Sequence, residues 1–80
     1  MIKVLLFGAA ADRAGTRETE LDVENGTTLA EIWPLLAEQH PDLGPMHDTL
    51  AFAVNGEYAR GEDAVSPGDE VAVLPPVSGG

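Results

Sequence analysis

The sequence contains no cysteine, and this absence removes several kinds of chemistry at once. Disulfide bonds, thiolate nucleophiles and metal sites with cysteine ligands are excluded. No apolar run approaches the roughly 18 residues that a membrane-spanning helix needs. The apolar residues 2–7 lack the basic region and the length of a signal peptide. These absences predict a cytoplasmic protein that does not enter a membrane.

Basic residues are scarce as well. The 80 residues include four Lys and Arg against 14 Asp and Glu, which gives a formal net charge of −10. Because phosphate contacts depend on Lys and Arg, we expect neither nucleic acid nor anionic lipid as a partner. The charge favours a partner with a basic surface, or it serves solubility alone. A chain of this length forms at most one domain, and its small core leaves little room for a self-contained active site.

Apolar residues alternate in a way that predicts short strands near the N-terminus. Residues 2–7 are apolar on both faces, which is typical of a central strand. Residues 18–24 place Leu21 and Val23 on one face and acids on the other, and they predict a half-exposed strand in a hairpin with the first. Residues 8–17 predict a loop with at most one helical turn.

One main helix is predicted in the middle of the chain. Thr28 and Glu31 fit a capping box at its start. His40-Pro41 ends it, because the residue before a proline avoids the α region. Four apolar residues at helical spacing form its buried face: Leu29, Ile32, Trp33 and Leu36.

Turn signals organise the second half of the chain. Asn55-Gly56 predicts a hairpin after a strand at residues 50–54, and Ser66-Pro67-Gly68-Asp69 predicts a type II turn before a last strand at residues 70–74. The order β-β-α-β-β predicts an α+β fold, in which a mixed sheet of four to five strands packs on one main helix. A parallel crossover between the first and last strands makes this a ubiquitin-like β-grasp domain over residues 1–74.

The interior of this domain offers no recognisable catalyst. His40 and His47 lack the spacing of a metal site, so we expect no bound metal. Ser66 and Ser78 lack a base that would make either of them a nucleophile. We therefore do not expect an enzyme that acts alone.

Residues 75–80, Pro-Pro-Val-Ser-Gly-Gly, are predicted to form an extended tail. Pro75-Pro76 favours a polyproline-like exit from the last strand, and six extended residues reach about 20 Å. Gly79 and Gly80 have no side chain, so this end fits a narrow channel. A terminal carboxylate is a poor electrophile, but its adenylate is open to attack by sulfur or by an amine. The alternative is a frayed end, where glycine merely tolerates disorder.

The chain resembles a known family, the small sulfur-carrier subunits of molybdopterin synthase, over essentially its whole length. Two segments carry the resemblance. One is the hairpin Val54-Asn55-Gly56-Glu57-Tyr58. The other runs from Ser66 to Gly80, where a Gly-Asp turn leads to an apolar strand and to the final Pro-Pro-Val-Ser-Gly-Gly. The complete ending is a far more specific signal than two glycines alone.

The resemblance implies a cycle of sulfur transfer with no permanently bound cofactor. An ATP-dependent adenylyltransferase related to ubiquitin-activating enzymes forms an adenylate on Gly80, and a sulfur donor converts it to a thiocarboxylate, so AMP and sulfur are held only transiently. The tail then enters the large synthase subunit, which holds the catalytic residues, and sulfur passes to cyclic pyranopterin monophosphate in a heterotetramer. Phe7 is implied to contact partners, with a core position as the alternative. The inserted tail consists of Gly79, Ser78, Val77, Pro76 and Pro75.

Three other functions stay open at this point. A sulfur carrier for thiamine or cysteine synthesis shares the fold and the two glycines, but thiamine carriers are generally shorter and lack the Pro-Pro-Val-Ser segment. A ubiquitin-like modifier joined to lysines of target proteins uses the same activated end. Lys3 is the only lysine, which disfavours chains of the protein on itself. An inert interaction domain leaves the ending without a role.

Overall fold

A computed structural model describes residues 1–74, apart from the side chains of residues 47–49. The elements of this part follow one another as β1 (Ile2–Leu6), α1 (Gly8–Ala14), β2 (Glu18–Leu21), β3 (Thr27–Thr28), α2 (Leu29–Gln39), a 3-10 helix (Pro41–Thr49), β4 (Ala51–Val54), β5 (Glu57–Ala59), β6 (Ala64–Val65) and β7 (Glu70–Leu74). Five strands form one sheet in the order β2-β1-β7-β4-β5, and β3 pairs with β6 in a small second sheet.

The five-stranded sheet is mixed, as predicted. β1 and β7 are parallel, with Val4 opposite Val71 and Leu6 opposite Val73. The other neighbours are antiparallel. β1 therefore lies between β2 and β7 in the interior of the sheet, and the parallel crossover between the first and last strands is confirmed. This is the expected α+β arrangement of one mixed sheet and one main helix.

The core lies between α2 and one face of the sheet. Because side chains alternate along a strand, every second residue of β1 and β7 points to α2, and these residues are almost fully buried. The four apolar residues predicted for the helix are all buried too. The ring of Trp33 meets that of Phe52 edge-on, with centroids 5.8 Å apart. The strand residues of this core include Ile2, Val4, Leu6, Leu21, Val71 and Val73.

The start of α2 is fixed by the predicted capping box. The Thr28 hydroxyl accepts a hydrogen bond from the Glu31 backbone N–H at 3.2 Å, and a Glu31 carboxylate oxygen accepts one from the Thr28 backbone N–H at 3.1 Å. The bond from the Thr28 backbone N–H, together with one that the Thr28 hydroxyl donates to the same carboxylate oxygen at 3.0 Å, favours the charged carboxylate and lowers the pKa of Glu31 below its ordinary value. Pro34 is exposed within the helix, which continues past it to Gln39.

Both predicted turns are present, and they bind each other. Asn55 and Gly56 have φ values of 51° and 88°, as a two-residue hairpin turn requires. Gly68 has φ 96°, and the Asp69 N–H donates to the Ser66 carbonyl at 3.0 Å, as in a type II turn. The Asn55 side chain donates to Asp69 Oδ1 at 3.1 Å and accepts from the Glu70 N–H at 3.0 Å. These bonds therefore join the hairpin turn to the type II turn and fix the position of the start of β7.

Three parts of the fold differ from the prediction. Residues 8–14 form a seven-residue helix, α1, where a loop with at most one helical turn was expected. Strand β2 ends at Leu21, although Val23 beyond it is buried as predicted. The small sheet of β3 and β6, two residues from each, was not predicted. No helix among the described residues is long and apolar enough to span a membrane.

Candidate functional site

The sheet has a second face, opposite α2, that carries a strip of apolar side chains. In one cross-strand row Leu5 lies opposite Ala72, Ala72 opposite Ala53, and Ala53 opposite Tyr58. Phe7 and Tyr58 are 44% and 72% exposed. We call this strip the open face; it consists of Leu5, Phe7, Ala51, Ala53, Tyr58, Ala72 and Leu74.

The open face explains why β1 is apolar on both sides. The prediction of a central strand is correct, but central position does not bury both faces of β1. Val4 and Leu6 lie under α2, whereas Leu5 is half-buried and Phe7 is exposed. A core position for Phe7 is thus wrong. Its large exposed ring is available to another molecule, and its contact with a partner stays a prediction.

The predicted tail begins at one end of the open face. β7 ends at Leu74, and the Phe7 N–H donates to the Val73 carbonyl at 3.2 Å. Leu74, the next residue, therefore lies at the level of Phe7. The predicted tail residues lie outside the described part of the chain: Pro75, Pro76, Val77, Ser78, Gly79 and Gly80. The last described residue, Leu74, therefore lies at the end of the open face that carries Phe7.

A cleft of about 540 Å³ lies on the other side of Phe7. Leu5 and Ala11 contribute apolar surface to it, and Asp12, Arg17 and Glu18 contribute charges. Helix α1, which the sequence prediction treated as a loop, supplies one wall. The open face thus continues into a concave surface at Leu5 and Phe7.

Charged residues border the opposite end of the open face. Lys3 lies between Glu20 on β2 and Glu70 on β7 in one cross-strand row, and all three are exposed. Glu18 continues this border along β2. The face therefore changes from apolar at Phe7 and Leu74 to predominantly acidic at the far end.

The lowered carboxylate pKa values belong to structural positions rather than to this face. Asp69 accepts a hydrogen bond from the Ser66 backbone N–H at 2.8 Å, in addition to the bond from Asn55. Both bonds favour the charged form, so they lower the pKa of Asp69 as the capping box lowers that of Glu31. Asp69 and Glu31 hold a turn and a helix start, and the geometry gives neither of them a part in catalysis.

The histidines show no arrangement of metal ligands in the described part of the chain. No group of three or more His, Asp or Glu side chains there is close enough to hold an ion. His40 Nε2 is buried and makes no hydrogen bond with a described residue. The prediction for His47 falls on a side chain outside the described part.

Sequence reasoning singled out Phe7 but missed its neighbours on the open face. Tyr58 and Leu74 were assigned to a hairpin and to a strand, with no separate role. The signal that could have identified them is the alternation of side chains between the two faces of each strand. Once Val71 and Val73 are assigned to the core, Ala72 and Leu74 must point the other way.

Comparison with known proteins settles the family. The sequence matches the ThiS family over residues 4–80. The chain belongs to the ThiS family. A relative from Chlamydomonas reinhardtii, named molybdopterin synthase sulfur carrier subunit, is 38% identical over 81 residues, which cover 99% of this chain and 98% of the relative. The resemblance drawn from the sequence ending is therefore confirmed.

A second kind of relative comes from Haloferax volcanii. Small archaeal modifier protein 1 is 36% identical over 83 residues, which cover 94% of this chain and 95% of that protein. A crystal structure of this modifier superposes with a TM-score of 0.86 at 31% identity, covering 95% of this chain and 97% of that chain. The ubiquitin-like β-grasp fold is thus confirmed, and the relatives of this ThiS family member include a carrier subunit and a modifier.

Proposed function

We propose that this protein is the sulfur-carrier subunit of a molybdopterin synthase and that Gly80 carries the sulfur. The observation that carries the proposal is the full-length similarity to proteins named for that role, at up to 38% identity. The sequence ending Pro75–Gly80 supplies the reacting group. The open face beside Leu74 supplies a surface on which a partner can hold the body while the tail reacts.

The chemistry begins with an unreactive group. The Gly80 carboxylate, ionised at neutral pH, attacks the α-phosphorus of ATP on an adenylyltransferase, and pyrophosphate leaves. Hydrosulfide supplied by a sulfur donor then attacks the carbonyl carbon of the adenylate, AMP leaves, and a thiocarboxylate remains. The thiocarboxylate passes its sulfur to cyclic pyranopterin monophosphate, and water restores the carboxylate. AMP and sulfur are thus bound to the Gly80 carbonyl only transiently, and the cycle needs no permanently bound cofactor.

Catalytic residues belong to the large synthase subunit in this proposal. The described part of the carrier presents apolar side chains at Phe7 and Leu74, and the whole sequence has only four Lys and Arg. Two carriers paired with a dimer of large subunits give a heterotetramer. The formal charge of −10 favours association with a basic surface through electrostatic steering. The role places the protein in the cytoplasm.

Deleting Gly79 and Gly80 tests the proposal. We expect the truncated carrier to unfold at the same urea concentration as the full chain, because β7 and the core are intact. We also expect it to support no molybdopterin formation in a reconstituted reaction with the large subunit, the adenylyltransferase, ATP and a sulfide source. Replacing Gly44 with Ala is the control, since that glycine lies far from the tail in sequence and has open space around it. Molybdopterin formation by the truncated carrier would overturn the proposal.

A second function, joining of Gly80 to lysines of other proteins, is favoured by the relation to the Haloferax modifier. The same adenylate would react with an amine, forming an amide and releasing AMP. Fragmentation mass spectrometry of the protein from its own cells separates the two. Sulfur on Gly80 supports the carrier, and a lysine of another protein attached through the Gly80 carbonyl supports the modifier.

A further inference from the structure

The two edges of the five-stranded sheet differ in what they present to another chain. β2 forms one edge, and the exposed acids Glu18 and Glu20 alternate along it. Charged side chains on an edge strand oppose pairing with other strands. β5 forms the opposite edge, and the residue at its centre is the neutral, exposed Tyr58. The edge at β5 is therefore the better place for an added strand.

The backbone of Tyr58 faces away from the sheet. Val54 pairs with Glu57 across the two-residue turn, and Ala53 pairs with Tyr58 one step further along. In such a hairpin the pair next to the turn exchanges hydrogen bonds and the following pair does not. The N–H and C=O of Tyr58 consequently point outward, and within residues 1–74 neither makes a hydrogen bond outside the strand pairing.

A groove of about 360 Å³ lies beside these outward groups. Its opposite wall is formed by Asp63 and Ala64, where β6 begins. Two acids line it, Glu57 and Asp63, and no described Lys or Arg does. Asp63 Oδ2 accepts a hydrogen bond from the Arg60 backbone N–H at 2.7 Å, which holds this wall in place. The groove thus offers backbone hydrogen bonds on one side and negative charge at its rim.

We propose that this groove receives an extended strand of the large synthase subunit, hydrogen-bonded to Tyr58 and carrying a Lys or Arg that faces Glu57 and Asp63. The inference rests on the proposed function, because the occupant is the protein that takes the tail. Strand addition at a free edge is a common mode of peptide recognition, with backbone hydrogen bonds supplying affinity. The Tyr58 ring belongs to the open face, so the groove and the open face form one continuous surface.

A second copy of the chain fits the groove less well than a basic partner. Each copy has a formal charge of −10, and pairing two β5 edges would add a strand that carries Glu57 to a groove already lined by Glu57 and Asp63. Like charges across strands destabilise a sheet. A strand with basic side chains gains attraction at the same positions.

Amide hydrogen exchange tests the proposal without altering the chain. The carrier is mixed with the large subunit from the same organism, and the exchange of individual backbone amides is followed by NMR. We expect the Tyr58 N–H to exchange rapidly in the free carrier and at least about 100-fold more slowly in the complex. The Glu57 N–H, already bonded across the turn, serves as the protected reference. Unchanged exchange at Tyr58 in a complex whose formation is shown by titration calorimetry would overturn this inference alone, whereas failure to form any complex would overturn the proposed function with it.

Two variants of Tyr58 separate backbone pairing from side-chain docking. Tyr58→Ala removes the ring and keeps the N–H, whereas Tyr58→Pro also removes the outward N–H at an edge position where proline is tolerated. We expect the proline variant to bind the large subunit at least tenfold more weakly than the alanine variant. Equal affinities for the two folded variants would contradict strand addition. If the proline variant unfolds, the exchange of the Tyr58 N–H in the unmodified chain decides whether a partner strand pairs with β5.

The charge of the occupant is tested by reversing one acid at the groove. We expect Glu57→Lys to weaken binding of the large subunit by about tenfold. Glu62→Lys is the matched control, because Glu62 is exposed nearby, makes the same change in net charge and does not line the groove. An equal effect of the two reversals would show that only net charge matters, and the basic strand would be rejected.

Discussion

The face of the sheet under α2, the covered face, and the open face both carry apolar side chains, but these side chains have different roles. Val4 and Val73 are fully buried under α2, whereas Leu5 and Ala72, one position along each strand, are half-buried on the open face. Burial of the first pair contributes to folding in the free protein. Burial of the second pair, Leu5 and Ala72, contributes to binding, because it is completed only when another molecule covers the open face. Stability and recognition are therefore separated by a one-residue step along each strand, and substitutions can test the two independently.

The largest expected effect lies in the core, and neighbouring leucines of α2 provide a matched pair. Leu36 is fully buried and Leu35 is 40% exposed. We expect Leu36→Ala to lower the free energy of unfolding by about 2–5 kcal/mol because it leaves a cavity. Leu35→Ala should lower it by less than about 1 kcal/mol. Urea unfolding followed by the fluorescence of Trp33, the only tryptophan, measures both. Equal losses would show that the helix does not pack as described.

A smaller effect is expected where the chain enters β7, because this turn sets which residues reach each face. Gly68 has φ 96° and open space around its Cα. We expect Gly68→Ala to cost about 1–3 kcal/mol of stability through backbone strain alone. Gly44→Ala is the control, since it also has open space but no positive φ; its effect should stay within about 1 kcal/mol. A neutral Gly68→Ala variant in urea unfolding would argue against the type II turn.

In contrast to a core substitution, Phe7→Ala should have little effect on stability and a large effect on binding. We expect its stability to fall by less than about 1 kcal/mol, because the ring is 44% exposed. Its affinity for the large subunit should fall at least about tenfold, as for an aromatic residue at the centre of an interface. Titration calorimetry measures this affinity, with Leu35→Ala as the control of similar exposure away from the open face. If both variants bind alike, Phe7 is not a contact.

The smallest expected effect is a pH dependence at the exposed start of α2. The pKa of Glu31 is lowered in the folded protein by the capping box, so its contribution to stability is complete above the ordinary glutamate pKa of about 4.3. The contribution is lost as pH falls through the lowered value. We therefore expect the wild type to exceed Glu31→Gln in stability at pH 7 and the difference between them to shrink as the pH falls below the ordinary glutamate value. A difference that is independent of pH would contradict this role of the carboxylate.

Local signals predicted most of the fold because several of them agreed at each element. Thr28, Glu31 and the apolar spacing all indicated α2, and Asn55-Gly56 specified the hairpin turn. Helix α1 gave no such pattern, since Ala10 is its only buried residue and no large apolar side chain marks its inner face. The pairing of β3 with β6 joins two residues from each of two distant segments, and strands this short have no periodicity to read.

The candidate site could be predicted from the sequence only in part, for a physical reason. Phe7 and the tail were found through the family resemblance. The open face depends on which side of the sheet α2 occupies, which is a property of the tertiary fold. Tyr58 shows the difficulty most clearly: its place beside Ala53 follows from the hairpin, but its large exposure follows from the absence of a second layer above it among the described residues.

The central position of β7 also has a consequence for synthesis of the chain. β7 joins β2-β1 on one side to β4-β5 on the other, so neither pair can enter the complete sheet before this strand has emerged from the ribosome. A nascent chain interrupted before Glu70 lacks the strand that unites its halves. Such a fragment cannot complete the five-stranded sheet and cannot present the open face, which needs Ala72 and Leu74 of β7.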